Sequence, residues 1–158
     1  MTILGIDPGY AILGWSVIDS SLKLHDYGVI QTSSALNIDD RLLLIHESLS
    51  SVIKTHKPDC LSIEKLFFQK NTKTAMDVAK AIGSVILTAK IHGLHVHEYS
   101  PVQIKKSLTG FGNAPKIQMQ NMIKTVFKLK SIPEPDDAAD AVAIALCHAL
   151  NNGRMIIK

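Results

Sequence analysis

The sequence predicts an α/β fold built on a five-stranded mixed sheet flanked by helices, and three observations point to it. Two short apolar runs, Ile3-Leu4-Gly5-Ile6-Asp7 and Cys60-Leu61-Ser62-Ile63-Glu64, each end in an acid. Runs of this length bounded by turn residues read as buried strands. A stretch of helical periodicity lies between them, and a strand, helix, strand unit lets its two strands lie parallel and adjacent. Two alternating segments follow the first run, and alternation marks a half-covered strand. The predicted order is βββαβαβααα.

The first strand stops at Asp7-Pro8-Gly9. From Ala11 to Asp19, Leu13, Trp15 and Val17 share one face, while Ile12, Gly14, Ser16 and Ile18 share the other. A turn at Ser20-Ser21 leads to a third strand, Lys23 to Thr32, which completes an antiparallel meander. In Ile38 to His56, Leu42, Ile45, Leu49, Val52 and Ile53 recur at helical spacing, with Asp39 and Asp40 in the first turn, where the helix dipole favours anions. Pro58 blocks any continuation.

After Cys60 to Glu64 comes a polar, basic loop, Lys65 to Lys73, carrying Phe67 and Phe68. A helix over Thr74 to His92 ends at Gly93. A short strand, Leu94 to Tyr99, precedes Ser100-Pro101, an N-cap and first-turn pair that opens a helix through Leu108. Gly110 to Pro115 is a loop, Lys116 to Lys128 a helix, and Ile132-Pro133-Glu134-Pro135 a break before an alanine-rich helix from Asp136 to Asn151. With no internal repeat or long linker, residues 1–158 are expected to form a single domain.

Composition narrows the function. The chain is 46% hydrophobic and 20% charged, which suits an ordinary core. No window approaches the roughly 18 consecutive apolar residues of a membrane span, and the start lacks the basic flank of a signal peptide. A cytoplasmic location is the expectation. Cys60 and Cys147 sit in apolar runs without CxxC spacing and read as buried, reduced thiols. His95 and His97 share a strand face, but no third ligand is spaced to complete a zinc site. The Gly110 to Lys116 stretch lacks the spacing of a phosphate-binding loop.

Charge is distributed unevenly. Glu64 to Lys130 holds eleven Lys, no Arg and three acids, a surplus of eight positive charges, so in a chain of net charge +3 the remainder is five negative. A basic face of this kind steers polyanions. Only Arg41 and Arg154 could read base edges bidentately, so contacts to phosphate and recognition of shape are expected instead.

The acids suggest the chemistry. The last helix opens Asp136-Asp137-Ala138-Ala139-Asp140-Ala141, which projects Asp137 and Asp140 from one side of its first turn. Acids there also cap a helix and favour its dipole, so the cluster alone is no site. The alanines, however, leave little bulk to hold this turn away from a sheet, and the strand ends at Asp7 and Glu64 are where open α/β sheets place ligands. Four converging carboxylates repel one another unless a hard cation joins them, and Mg²⁺ or Mn²⁺ suits oxygen donors.

Four stretches carry a resemblance: Gly5-Ile6-Asp7-Pro8-Gly9, Ser62-Ile63-Glu64-Lys65-Leu66-Phe67-Phe68, Tyr99-Ser100-Pro101 and Asp137-Ala138-Ala139-Asp140-Ala141. In order and at matching length, they resemble the RuvC family of bacterial Holliday-junction resolvases. The resemblance implies an RNase H-like fold and a Mg²⁺-dependent homodimer; the oxygen donors themselves would accept Mn²⁺ in its place, and two ions per active site, about 4 Å apart, suit phosphoryl transfer. It implies that Asp7, Glu64, Asp137 and Asp140 are catalytic and metal-binding, that Phe67 meets unstacked bases, and that Lys105 and Lys116 approach phosphates. Lys106 could take the place of Lys105. Four-way junction DNA and the RuvA-RuvB branch-migration complex are the implied partners, and paired nicks across the junction, serving recombination and repair, the implied reaction. A junction-binding module without nuclease activity, or a nuclease of the same fold acting on RNA–DNA hybrids or transposon ends, are the rival readings.

Overall fold

The computed structural model describes residues 1–66 and 72–152, so the expectations for Phe67 and Phe68 lie outside the described residues. The elements are β1 (Thr2–Asp7), β2 (Ile12–Asp19), β3 (Leu24–Gln31), α1 (Ile38–His56), β4 (Cys60–Glu64), α2 (Thr72–Ile91), β5 (His95–Tyr99), α3 (Pro101–Thr109), α4 (Lys116–Val126) and α5 (Asp136–Asn152). Their order matches the one predicted. The sheet runs β3-β2-β1-β4-β5, antiparallel through β3, β2 and β1 and parallel through β1, β4 and β5.

Alternation divides the sheet between two layers. Leu4, Ile6, Leu13, Val17, Leu61 and Ile63 point to one side, where they pack with Ile45, Leu49 and Ile53 of α1 and Val85 and Ala89 of α2. Ile3, Ile18 and Cys60 point to the other, against Ala145 of α5. α5 is buried on every side from Ala141 to His148, because the sheet lies on one flank while Ile104 and Leu108 of α3 and Met119 and Ile123 of α4 lie on the other. A helix so enclosed has no polar face to present, which explains its alanine-rich sequence.

Local signals set the boundaries. Ser100 caps α3 by a capping box: its Oγ accepts from the Gln103 backbone N–H at 3.2 Å, and Gln103 Oε1 accepts from the Ser100 N–H at 2.8 Å. Gly93 and Gly110 take φ of +77° and +83° after α2 and α3, the left-handed conformation that glycine adopts without strain. α4 stops at Val126, short of the expected Lys128, because Lys128 itself turns left-handed with φ +52°. Among the described residues no helix is long and apolar enough to cross a membrane.

Candidate active site

Asp7 closes β1 and Glu64 closes β4. Ile6 pairs with Ile63 in a parallel ladder, so the two acids leave the sheet side by side at one edge of the α5 layer. The third component comes from the far end of the chain. The Pro135 carbonyl accepts from the Ala138 and Ala139 N–H groups, which places Asp136 inside the first turn of α5 and not at its cap.

Two glycines let that turn reach the strands. A Cβ built on Gly14 would overlap the Asp137 carbonyl and stand 3.1 Å from the Ala138 nitrogen; one built on Gly5 would overlap the Ala141 carbonyl and stand 2.7 Å from Ala145 Cβ. Glycine within a strand marks such a close backbone approach. With β1 and β2 both bare at these positions, α5 lies directly on the sheet. Asp137 and Asp140 thereby come within electrostatic reach of Asp7.

The electrostatics register this convergence. Burial, then the charges of Asp140, Glu64 and Asp137, push the Asp7 carboxyl up to about 8, with Lys116 pulling weakly the other way. Burial raises Glu64 as well, helped by Asp140 and opposed by Lys105. Burial raises Asp140, against the hydrogen bond from Lys116. Lys116 is itself raised: burial pulls it down, but its bonds to Asp140 and Asp136 outweigh that. Its Nζ lies 3.1 Å from Asp140 Oδ2 and 3.2 Å from Asp136 Oδ2.

Two adjoining pockets make one cleft. The first, about 440 Å³, is lined by Asp7, Glu64, Lys65, Val102 and Lys105 among others. The second, about 300 Å³, shares Glu64 and Lys105 and adds Lys116 and Asp140. Lys105, not Lys106, therefore faces the acids; Lys106 lines a separate pocket with Tyr99, Gln103, Ser107 and Asn151. Asp137 lines neither pocket and acts on Asp7 through its charge. Two further lining residues went unmarked in the sequence. Val102 puts an exposed apolar side chain on the rim, and Lys65 follows Glu64 directly, which its neighbourhood could have signalled.

The donor set is all oxygen and short of positive charge, the chemistry that fits Mg²⁺, which binds through one or two carboxylates and keeps several waters. Asp7, Glu64 and Asp140 line the cleft without closing on one point. Among the described residues, the grouping whose ligand atoms all lie within 4.8 Å of one another is a different one, Cys60, His97 and His148.

Without divalent ions, an acid whose folded pKa is raised adds stability that is complete below its unfolded value near 3.8 and lost as pH rises through about 8. The ion-free protein should therefore melt lower at pH 8.5 than at pH 5.5, and Mg²⁺ should raise the Tm more at the higher pH, where no proton has to leave Asp7. Thermal melts with and without Mg²⁺ check this. A Mg²⁺ shift that is the same at both pH values would show that the ion does not compete with a proton at Asp7.

Comparison with known proteins gives a consistent picture. Residues 3–148 match the family model described as Crossover junction endodeoxyribonuclease RuvC. The chain is 46% identical over 162 residues to the protein of that name from Caldicellulosiruptor saccharolyticus, covering 100% of this chain and 98% of the relative. It is 49% identical over 152 residues to that from Brevibacillus brevis, covering 94% and 92%. Among solved structures, Thermus thermophilus RuvC in complex with a Holliday junction substrate superposes with a TM-score of 0.90 at 35% identity, covering 96% of this chain and 94% of that one.

Proposed function

The chain belongs to the RuvC family of crossover junction endodeoxyribonucleases, and from that membership we propose how its cleft cuts DNA. It has the family's RNase H-like fold and is a metal-dependent nuclease that resolves Holliday junctions. The residues that do so are our reading: Asp7, Glu64, Asp137 and Asp140 hold Mg²⁺, two ions per site, with Mn²⁺ able to substitute. The observation that carries it is that Asp7, Glu64 and Asp140, from three different elements, line one cleft, where burial and the neighbouring acids push the Asp7 carboxyl up to about 8. A protein gains nothing in stability from that arrangement, and perturbed groups of this kind gather at functional sites.

When bound, such a pair of ions activates a water and offsets the charge that develops on the leaving oxygen. The chain supplies the rest. Lys105 and Lys116, which both line the second pocket, bring positive charge to a scissile phosphate. Lys116 does so by leaving Asp140, whose negative charge it holds until then. Water attacks phosphorus, the bond to the bridging oxygen breaks, and the nicked ends remain ligatable. Phe67, three residues after Glu64 in the sequence, is proposed to stack on a base freed at the crossover, an interaction worth about 1–3 kcal/mol.

Two equivalent cuts across a two-fold junction call for two equivalent sites, so we take the working form to be a homodimer. The helix α2 supports this, with Met76, Leu87 and Ile91 exposed at 60%, 61% and 62% and open space over Gly83. Gly83 lies in this exposed stripe, whereas the other small residues, Ala75 and Ala79, are half-buried. In the cytoplasm, the RuvA-RuvB branch-migration complex is the proposed supplier of junctions.

The test is cleavage of a synthetic mobile four-way junction with and without Mg²⁺, mapping nicks on all four strands. Paired nicks in two strands of like polarity, abolished by chelator, are expected. Equal cutting of junction, duplex and RNA–DNA hybrid would overturn junction selectivity, and junction binding without any cleavage would favour a binding module.

A further inference from the structure

We propose that Cys60, His97 and His148 form a second metal site, separate from the carboxylate cleft and selective for zinc. The sequence offers His97 no suitably spaced third ligand, but the fold supplies two partners from other elements. Cys60 opens β4, His97 lies in β5 and His148 in α5, and one ligand atom from each lies within 4.8 Å of the others. Cys60 and His148 are buried, and His97 is half-buried on β5, an edge strand with a neighbour on one side only. Cys60 lies four residues before Glu64, about 13 Å along the strand, so the two sites are distinct.

The geometry suits a tetrahedral ion. Zinc bonds of about 2.3 Å to sulfur and 2.0–2.1 Å to nitrogen set sulfur and nitrogen about 3.6 Å apart. Cys60 Sγ and His148 Nε2 are already 3.4 Å apart. The rings of His97 and His148 lie with centroids 4.3 Å apart, so a rotation of the edge-strand histidine completes the set. Tyr99 supplies the outer support that metal-binding histidines commonly have: its hydroxyl lies 2.7 Å from His148 Nδ1, which engages that nitrogen and directs Nε2 toward Cys60. Asn152 Nδ2, 2.7 Å from Nε2, holds that position without metal. It is exposed at the end of α5 and free to swing away.

The donors explain the selectivity. Thiolate and imidazole favour zinc, whereas Mg²⁺ takes oxygen, so the two sites sort ions by softness. Binding would expel the Cys60 thiol proton to solvent and tie together β4, β5 and α5, the elements that carry Glu64 and Asp140.

The experiment strips the full-length protein with chelator, saturates the carboxylates with Mg²⁺ and titrates Co²⁺ while recording absorption. Expected is a thiolate-to-cobalt charge-transfer band that saturates at one equivalent per chain, bleaches with Zn²⁺, disappears in Cys60→Ser and needs at least about tenfold more Co²⁺ in His97→Gln. At equal concentration Zn²⁺ should raise the Tm of the wild type more than that of His97→Gln, a half-buried position whose variant folds even if Cys60→Ser does not. Absence of the band, or its persistence unchanged in His97→Gln, would reduce the cluster to a thiol–imidazole hydrogen bond beside two packed rings.

Discussion

Asp7→Asn is expected to lower junction cleavage by at least about 10³-fold, some 4 kcal/mol of barrier, while junction binding and the fold persist. The substitution keeps the shape of the side chain and removes one charge from a pocket where burial and three other acids already disfavour it. The unfolded chain loses nothing by the change, and the folded chain loses a repulsion. In the absence of divalent ions the variant should therefore melt no lower than the wild type at pH 8.5, and the dependence of Tm on pH that Asp7 causes should flatten. That combination separates a lost reaction from a lost fold. Native active sites commonly sacrifice stability in this way, and removing the functional charge recovers some of it. Cleavage at wild-type rate would remove Asp7 from the mechanism; a fall in Tm of many degrees would mean that the carboxylate serves the fold.

The site is built from parts of unequal legibility. Asp7 and Glu64 could be placed from sequence because each ends an apolar run, and the right-handed crossover through α1 leaves few arrangements other than neighbouring parallel strands. The alanine-rich opening of α5 hinted that its acids approach the sheet. The complementary half of that contact, Gly5 and Gly14, was equally visible as glycine within apolar strands, but only the packed structure shows which backbone occupies the space. The choice between Lys105 and Lys106 was legible in the helical period. Ile104 and Leu108 fix which side of α3 is buried; at 3.6 residues per turn Lys105 flanks that side and is half-buried, while Lys106 lies opposite it and is exposed.

Contacts made by tertiary structure alone were the least legible. No spacing rule links Lys116 to Asp140, or Cys60 to His97 and His148, since each partner sits on a different element and the elements meet through the sheet order. Asp136 shows the same limit from the other side. The Pro135 carbonyl accepts the first hydrogen bonds of α5 and leaves Asp136 to pair with Lys116 and accept from Gln120.

Gly14→Ala tests whether the approach of α5 to the strands makes the site. One added methyl group would meet the carbonyl of Asp137 and the nitrogen of Ala138, both backbone atoms that no rotamer change can move aside. Overpacking of this kind costs about 1–3 kcal/mol and more where the neighbour is rigid, so a loss near 3 kcal/mol, roughly 6–12 °C in Tm, is expected. The relief available is to lift the first turn of α5 from β2, and that displaces Asp137 and Asp140 together from Asp7 and Glu64. A shift of about 1 Å at such distances is worth on the order of 10²-fold in rate. Assayed well below its melting point, the variant should be folded by circular dichroism, bind junctions, and cleave at least about 100-fold more slowly, with more Mg²⁺ needed for half-maximal rate. That increased metal requirement distinguishes it from Asp7→Asn, in which the carboxylate is gone and added Mg²⁺ restores nothing. Wild-type activity and Tm in Gly14→Ala would mean that the helix does not rest on the strand where it carries its acids, and the convergence of the four carboxylates would then need another cause.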